Sequence, residues 1–564
     1  MNKKNRGKVI VLLVVMGILM FGCVYGGITL SKNWGKSKDV ISRERAEDKL
    51  NDIYDDIDVN ILEPRKEPID IGVYDVKDTL PDIDKYPTQV DNTTQTYIEI
   101  FSSGEKTGTG NDSWLIDVAN DFNSSGIKVN GKTVSVRIRQ VSSGLGMDYI
   151  ISEKYIPDAY NPSNELWGEM IKAKGMNIEL YDERMVGNVA GVLISKNKYA
   201  DLIDKYGSIN LKNITDLIAE GEIAMGYTNP FQSATGLNFL VSTLVTFDSN
   251  NPLSEKAIEG FEAFQSNIPL VAHTTLQMKS SAESGMLDGF IMEYQTYINS
   301  PELKAEYIFT PFGFRHDSPL YGVGNLSEEK KEVLKRFIEF YKQDKYSELA
   351  SKYGFNNLND YKCEISDLSG DTIIQAQKLW KENKNVNKPI VAVFVADVSG
   401  SMEGQPLNEL KKSLLNGAQY IGEESYIGIV TYSNDVNINL PIGKFDINQR
   451  SLFTGAVKDM QPGGGTATFD GIIVAIKMLL EEKAKNPDIK PMLFVLSDGE
   501  TNQGNSLEDV REILESIEIP VHTIGYNANI KALESISNIN EATNINADSE
   551  DVIYKLGNLF NAEM

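Results

Sequence analysis

Short unbroken apolar runs recur through the last third of the chain. Ile390-Val391-Ala392-Val393-Phe394-Val395-Ala396 comes first, followed by Tyr426-Ile427-Gly428-Ile429-Val430, Met492-Leu493-Phe494-Val495-Leu496 and Val521-His522-Thr523-Ile524. A run without polar alternation suits a strand buried on both faces of a parallel sheet. Amphipathic stretches near Leu407–Tyr420, Phe469–Glu482 and Ser506–Ser516 lie between these runs. Strand–helix alternation of this kind predicts a doubly wound α/β domain over 385–564.

A second α/β pattern with longer elements covers 95–384. Thr96–Phe101 and Val134–Ile138 read as strands with a helix near Trp114–Phe122 between them. Each strand runs into small hydroxyl residues, Ser102-Ser103 after the first and Ser142-Ser143 after the second; Pro157–Ser163 stands where a third would end. Further on, Ile223–Tyr227 leads through Asn229-Pro230 into Ser233-Ala234-Thr235-Gly236 and an apolar helix. Free amides at a helix start, with about half a unit of positive charge from the dipole, can hold an oxyanion together with the Ser233 and Thr235 hydroxyls. The candidate solute contacts are therefore Ser102, Ser103, Ser142, Ser143, Asn229, Ser233, Thr235, Gly236 and, from Phe290–Gln295, Glu293.

The start of the chain has a different pattern. A basic segment, 1–8, precedes an apolar run over 9–30, long enough to cross the roughly 30 Å hydrocarbon layer, where a cleavable signal core needs only about 7–15 residues. It predicts a retained transmembrane anchor, with the basic end cytoplasmic and the bulk of the chain outside the cell. Met20-Phe21-Gly22-Cys23 loosely follows a lipobox, which would tether the chain through a lipid on Cys23 instead. Residues 31–94 are rich in Asp, Glu and Pro and read as an acidic linker or stalk.

Composition narrows the function classes. With 564 residues, 41% of them hydrophobic, the chain has material for two or three cores. A formal charge of -25 excludes nucleic acid as a natural partner, since phosphate-backbone binding needs a basic stripe. The two cysteines, Cys23 and Cys363, and three scattered histidines offer neither a disulfide framework nor a zinc motif.

The candidate metal chemistry lies at the strand ends of the C-terminal domain. The first strand ends in Asp397-Val398-Ser399-Gly400-Ser401, another in Ser497-Asp498, and Gly463-Gly464-Gly465-Thr466 precedes a helix between them. Asp-x-Ser-x-Ser alone would serve equally as a helix cap. Asp397, Ser399, Ser401, Thr466 and Asp498 together are hard oxygen ligands, suited to Mg2+, or to Mn2+ or Ca2+. Because three of the five are neutral, such an ion would stay electrophilic enough to accept a carboxylate from outside at an open position.

On these residues the segment resembles the von Willebrand factor A (VWA) family, whose metal-ion-dependent adhesion site is written D-x-S-x-S, then Thr, then Asp. The resemblance implies that Ser399, Ser401 and Thr466 coordinate directly and that Asp397 and Asp498 act directly or through water. The middle segment resembles type 2 periplasmic solute-binding proteins on Pro157–Ser163 before Trp167 and on Asn229–Gly236. That likeness implies two α/β lobes closing over a ligand, with Tyr307–Phe309 a returning strand and a long helix near Glu328–Gln343. The expected molecule is a two-lobed periplasmic-binding-protein-like domain followed by a Rossmann-like VWA domain behind a membrane helix. It would bind an acidic protein partner through the metal and a small solute or oxyanion between the lobes. A receptor for an ABC-type importer is the alternative; no G-x-S-x-G, Walker A or zinc motif supports an enzyme.

Overall fold

The computed structural model describes residues 42–564 except 70–74, 269, 273–277, 279–286, 386–387, 500, 527–529, 538–541 and 549. The anchor at 9–30 and Cys23 lie outside the described residues, among which no helix is long and apolar enough to cross a membrane.

The apolar run at 390–396 forms strand Ile390–Asp397 in the middle of a seven-stranded sheet. From edge to edge the order is 59–61, 436–444, 426–432, 390–397, 490–497, 521–526 and 544–547. Strand Val436–Lys444 runs antiparallel to its neighbour Tyr426–Tyr432; the pairs beyond, from 426–432 to 544–547, are parallel. Side-chain alternation along the strand explains why it is apolar throughout. Val391, Val393 and Val395 pack with Ile472, Ile473 and Ile476 of helix Thr468–Lys485 on one face. Ala392, Phe394 and Ala396 pack with Leu410, Leu414 and Phe560 on the other.

The middle of the chain forms two lobes. One sheet takes strands 88–90, 132–140, 96–102, 159–161, 320–323 and 178–182 in that order, with 128–129 paired to 132–140; the other takes 270–272, 225–228, 289–293, 189–195 and 307–315. The chain crosses between the sheets twice, after strand Ile178–Asp182 and after strand Tyr307–Arg315. At this double crossing the His316 N–H donates to the Asn188 carbonyl at 3.0 Å, which ties the two hinge segments together.

The stalk expected over 31–94 is corrected on its described part. Helix Arg43–Asp55, capped by Ser42, buries Ala46 and Leu50 in the same cluster as Val510, Ile513 and Leu514 of helix Leu507–Ile517, with Ile53 and Tyr54 packed against it. Lys49 pairs with Glu512 at 3.2 Å. Strand Val59–Ile61 then adds to the sheet edge at Val436–Ile438. Positions 46, 50, 53 and 54 make one apolar stripe at helical spacing, diluted in composition by the surrounding acids. Residues 88–90 join the first lobe by pairing with strand Lys132–Gln140. From residue 42 the described chain thus packs first on the C-terminal domain, leaves for the two lobes and returns through helix Gly370–Asn383. Leu50 is 1% exposed; Leu50→Ala is expected to cost about 2–4 kcal/mol, read as a lower urea midpoint for the C-terminal domain, where a solvated stalk would give no change.

Candidate functional site

Asp397 is the last residue of its strand and is fully buried. Its Oδ1 accepts from the Ser399 N–H at 2.8 Å and its Oδ2 from the Ser497 hydroxyl at 2.7 Å. Burial pushes this carboxyl up; the Ser399 and Ser497 hydrogen bonds pull it down and the neighbouring Asp498 charge pushes it up again. The turn that follows brings the Ser399 and Ser401 hydroxyls to 3.0 Å from each other, and the Ser401 hydroxyl donates to Asp498 Oδ1 at 2.8 Å across 97 positions of sequence. The glycine loop closes over this turn. Gly400 N–H donates to the Gly464 carbonyl at 3.0 Å and Gly463 N–H to the Val398 carbonyl at 2.8 Å. Gly464 sits at φ +82, where a side chain would be strained. Two residues on, Thr466 is buried and its N–H donates to Asn502 Oδ1 at 2.9 Å.

Four of the five sequence-predicted ligands are therefore linked directly, and the segment carrying Thr466 is bonded to the same turn through Gly464. Oxygens sharing an octahedral edge around magnesium lie about 3 Å apart, so the spacing of Ser399, Ser401 and Asp498 fits a hard divalent cation. Among the described residues no group of three or more His, Cys, Asp and Glu side chains is placed to hold a metal; the donor set here is two carboxylates with hydroxyls.

Between the lobes, Ser103, Ser142, Ser143, Ser233, Thr235 and Glu293 line one cavity. Ser142 and Ser233 cap helices Ser143–Ile151 and Ala234–Phe247, whose first turns face it. Three predicted contacts serve the frame instead. The Ser102 hydroxyl donates to Asn161 at 3.0 Å, Asn229 Oδ1 accepts from the Phe231 N–H at 2.9 Å, and Gly236 donates its N–H to Ser233 while packing so tightly that a Cβ would stand 2.0 Å from the Thr228 carbonyl. The lobes meet closely at Gly144, where a Cβ would lie 2.5 Å from the Phe231 carbonyl.

Glu293 ends strand Gly289–Glu293 and is held by the hinge. Its Oε1 accepts from Thr235 at 3.2 Å and faces His316 Nδ1 at 2.8 Å. Asn238, whose amide is fixed by the Phe314 N–H and carbonyl, turns its Nδ2 to His316 Nε2 at 3.2 Å. That nitrogen is then an acceptor, and Nδ1 carries the hydrogen given to Glu293.

Sequence reasoning passed over Glu105, Lys106 and His316, and noted Ser163 only as part of the Pro157–Ser163 stretch. Glu105 Oε1 collects the Ser103 hydroxyl at 2.7 Å, the Lys106 ammonium at 2.7 Å and the Ser163 hydroxyl at 2.8 Å. Burial pushes the Glu105 carboxyl up, but the Lys106 ammonium and the Ser103 hydrogen bond outweigh it and hold it well below the usual carboxylate range. Its position directly after Ser103-Gly104 was the available signal, since ligands gather beyond strand ends.

A family model described as von Willebrand factor type A domain matches residues 392–561, and one described as bacterial extracellular solute-binding protein matches 108–356. The bovine (Bos taurus) inter-alpha-trypsin inhibitor heavy chain H3 is 30% identical over 165 residues, 26% of this chain, which spans only 18% of that relative's length. Among solved structures, a periplasmic thiamin binding protein covers 52% of this chain and 99% of its own at 9% identity and TM-score 0.39. A von Willebrand factor type A protein from Catenulispora acidiphila covers 31% of this chain and 42% of its own at 17% identity and TM-score 0.29. The chain carries a bacterial solute-binding-protein-like domain followed by a VWA domain.

Proposed function

We propose that this is a membrane-anchored, outward-facing binding protein whose VWA domain holds Mg2+ or Mn2+ and, through it, an acidic group on a protein partner. The two-lobed domain binds a small solute, and the chain acts as a binder, not a catalyst. The observation that carries the metal reading is that the Ser401 hydroxyl stands at octahedral-edge spacing both from Ser399 on its own strand end and from Asp498 on the neighbouring one. When bound, the cation supplies a positive centre for an incoming carboxylate; Ser399, Ser401, Thr466 and Asp498 would hold it, with Asp397 orienting the turn from behind. The anchor rests on the apolar run at 9–30. Sensing is favoured over delivery to an importer because residues of the C-terminal domain line the cavity between the lobes.

The full chain in detergent should unfold at higher temperature in MgCl2 or MnCl2 than in EDTA, by about 2.7 kcal/mol when the ion is a hundredfold above its dissociation constant. A partner-derived acidic peptide should bind only with the metal present. An equal shift in Ser401→Ala, or none in the parent chain at millimolar metal, contradicts the reading.

A further inference from the structure

The cavity between the lobes measures about 980 Å3 and has three walls: the two lobes and, across their mouth, Asn544, Asn546, Tyr554 and Lys555 of the C-terminal domain. Its charged wall residues are Glu105, Glu293, Glu534 and Lys555. Lys555 is already engaged, by Asp551 at 2.7 Å and the Asn546 carbonyl at 2.6 Å. Lys106 is fully buried behind the wall, its ammonium donating to Ser103 and Glu105.

The balance of charge decides what can enter. Two helix starts face the cavity, each contributing about half a positive unit; Lys106 offsets Glu105 at 2.7 Å as Asp551 offsets Lys555, which leaves the Glu293 and Glu534 carboxylates in excess on the wall. All three side-chain donors to Glu105 converge on Oε1, and Oε2 receives none of them. Glu293 stands with its Oε1 at 2.8 Å from His316 Nδ1, whose other nitrogen faces the Asn238 amide at 3.2 Å. The two carboxylates act together on a third: burial raises the Asp112 carboxyl, a hydrogen bond from Gln295 opposes it, and the charges of Glu105 and Glu293 raise it again. Beside these acids stands a donor. Ser143 is 4% exposed and lines the cavity; its Oγ accepts from the Ser163 N–H at 3.2 Å, and among the described residues its own hydrogen meets no acceptor.

We propose that this three-walled cavity takes a small organic cation, with an ammonium group at Glu105 and Glu293 and an oxygen toward Ser143 and the helix starts, and that the C-terminal domain is part of the site. The proposal rests on the solute-binding reading and names its ligand class.

The test is calorimetric titration of the full chain in detergent with ethanolamine, choline and serine, and with sulfate and phosphate. Binding of one or more of the three amines is expected, weakened at least tenfold in Glu293→Gln, with no response to either anion. Asn546→Arg, on the exposed wall contributed by the C-terminal domain, should weaken amine binding at least threefold while the thermal unfolding temperature stays put. Anion binding with the amines silent overturns the cation but leaves solute binding standing; silence toward all five overturns both. Amine binding unchanged in Asn546→Arg overturns the third wall.

Discussion

Asp498→Ala is expected to lose divalent-cation binding by a hundredfold or more while the fold stays intact. Asp498 is partly exposed and its described partner is the Ser401 hydroxyl, so removing it strands no buried donor. Asp397→Ala should behave differently. Its two oxygens satisfy the Ser399 N–H and the Ser497 hydroxyl in a fully buried setting, and leaving such groups unpaired costs about 1–3 kcal/mol each. Isothermal titration with Mn2+ beside urea unfolding separates the two: Asp498→Ala loses the ion at parental stability, whereas Asp397→Ala loses both. Retention of metal by Asp498→Ala would show that the ion, if bound, is held elsewhere.

Raising the pH from about 4 through 7 should loosen the contact between the C-terminal domain and the lobes. The Tyr554 hydroxyl, on helix Val552–Glu563, donates to Asp148 Oδ2 at 2.8 Å on helix Ser143–Ile151. Burial pushes the Asp148 carboxyl up to about 7, against the pull of the Tyr554 hydrogen bond; in an unfolded chain it titrates near 3.9. The folded chain therefore holds a proton that the unfolded chain has released, so the stabilisation is complete below about pH 4 and is lost as pH rises through 7. A shift of three units corresponds to about 4 kcal/mol; Asp148 keeps some exposure, which reduces the expected effect to roughly 2 kcal/mol. His522, pushed down by burial, works in the opposite direction, losing stability as pH falls below about 6.5. The difference between parent and Asp148→Asn isolates the aspartate: hydrogen exchange at the interface should slow in the variant at pH 8 and match the parent near pH 4. A parent interface that tightens from pH 5 to 8 relative to Asp148→Asn would contradict the account.

The C-terminal domain was legible because strand runs such as 390–396 are buried on both faces and announce themselves without periodicity, and because ligands in such sheets stand at strand ends. The helix at 43–55 was not, because its stripe of Ala46, Leu50, Ile53 and Tyr54 is interleaved with acids that dominate the composition. In the lobes, strand-end hydroxyls were visible, but their roles divide by a single position: Ser103 faces the cavity while Ser102 turns inward to Asn161. Glu105 was overlooked because hydroxyls alone were sought there. The wall formed by Asn544, Asn546 and Lys555 arises from how two domains dock, about which local pattern carries no information.

Electron paramagnetic resonance of Mn2+ added to the full chain addresses the metal most directly. One bound ion per chain is predicted, absent in Asp498→Ala, with a spectrum that changes when acetate takes up a position facing solvent. No bound manganese at millimolar concentration, or equal binding in the variant, would contradict it.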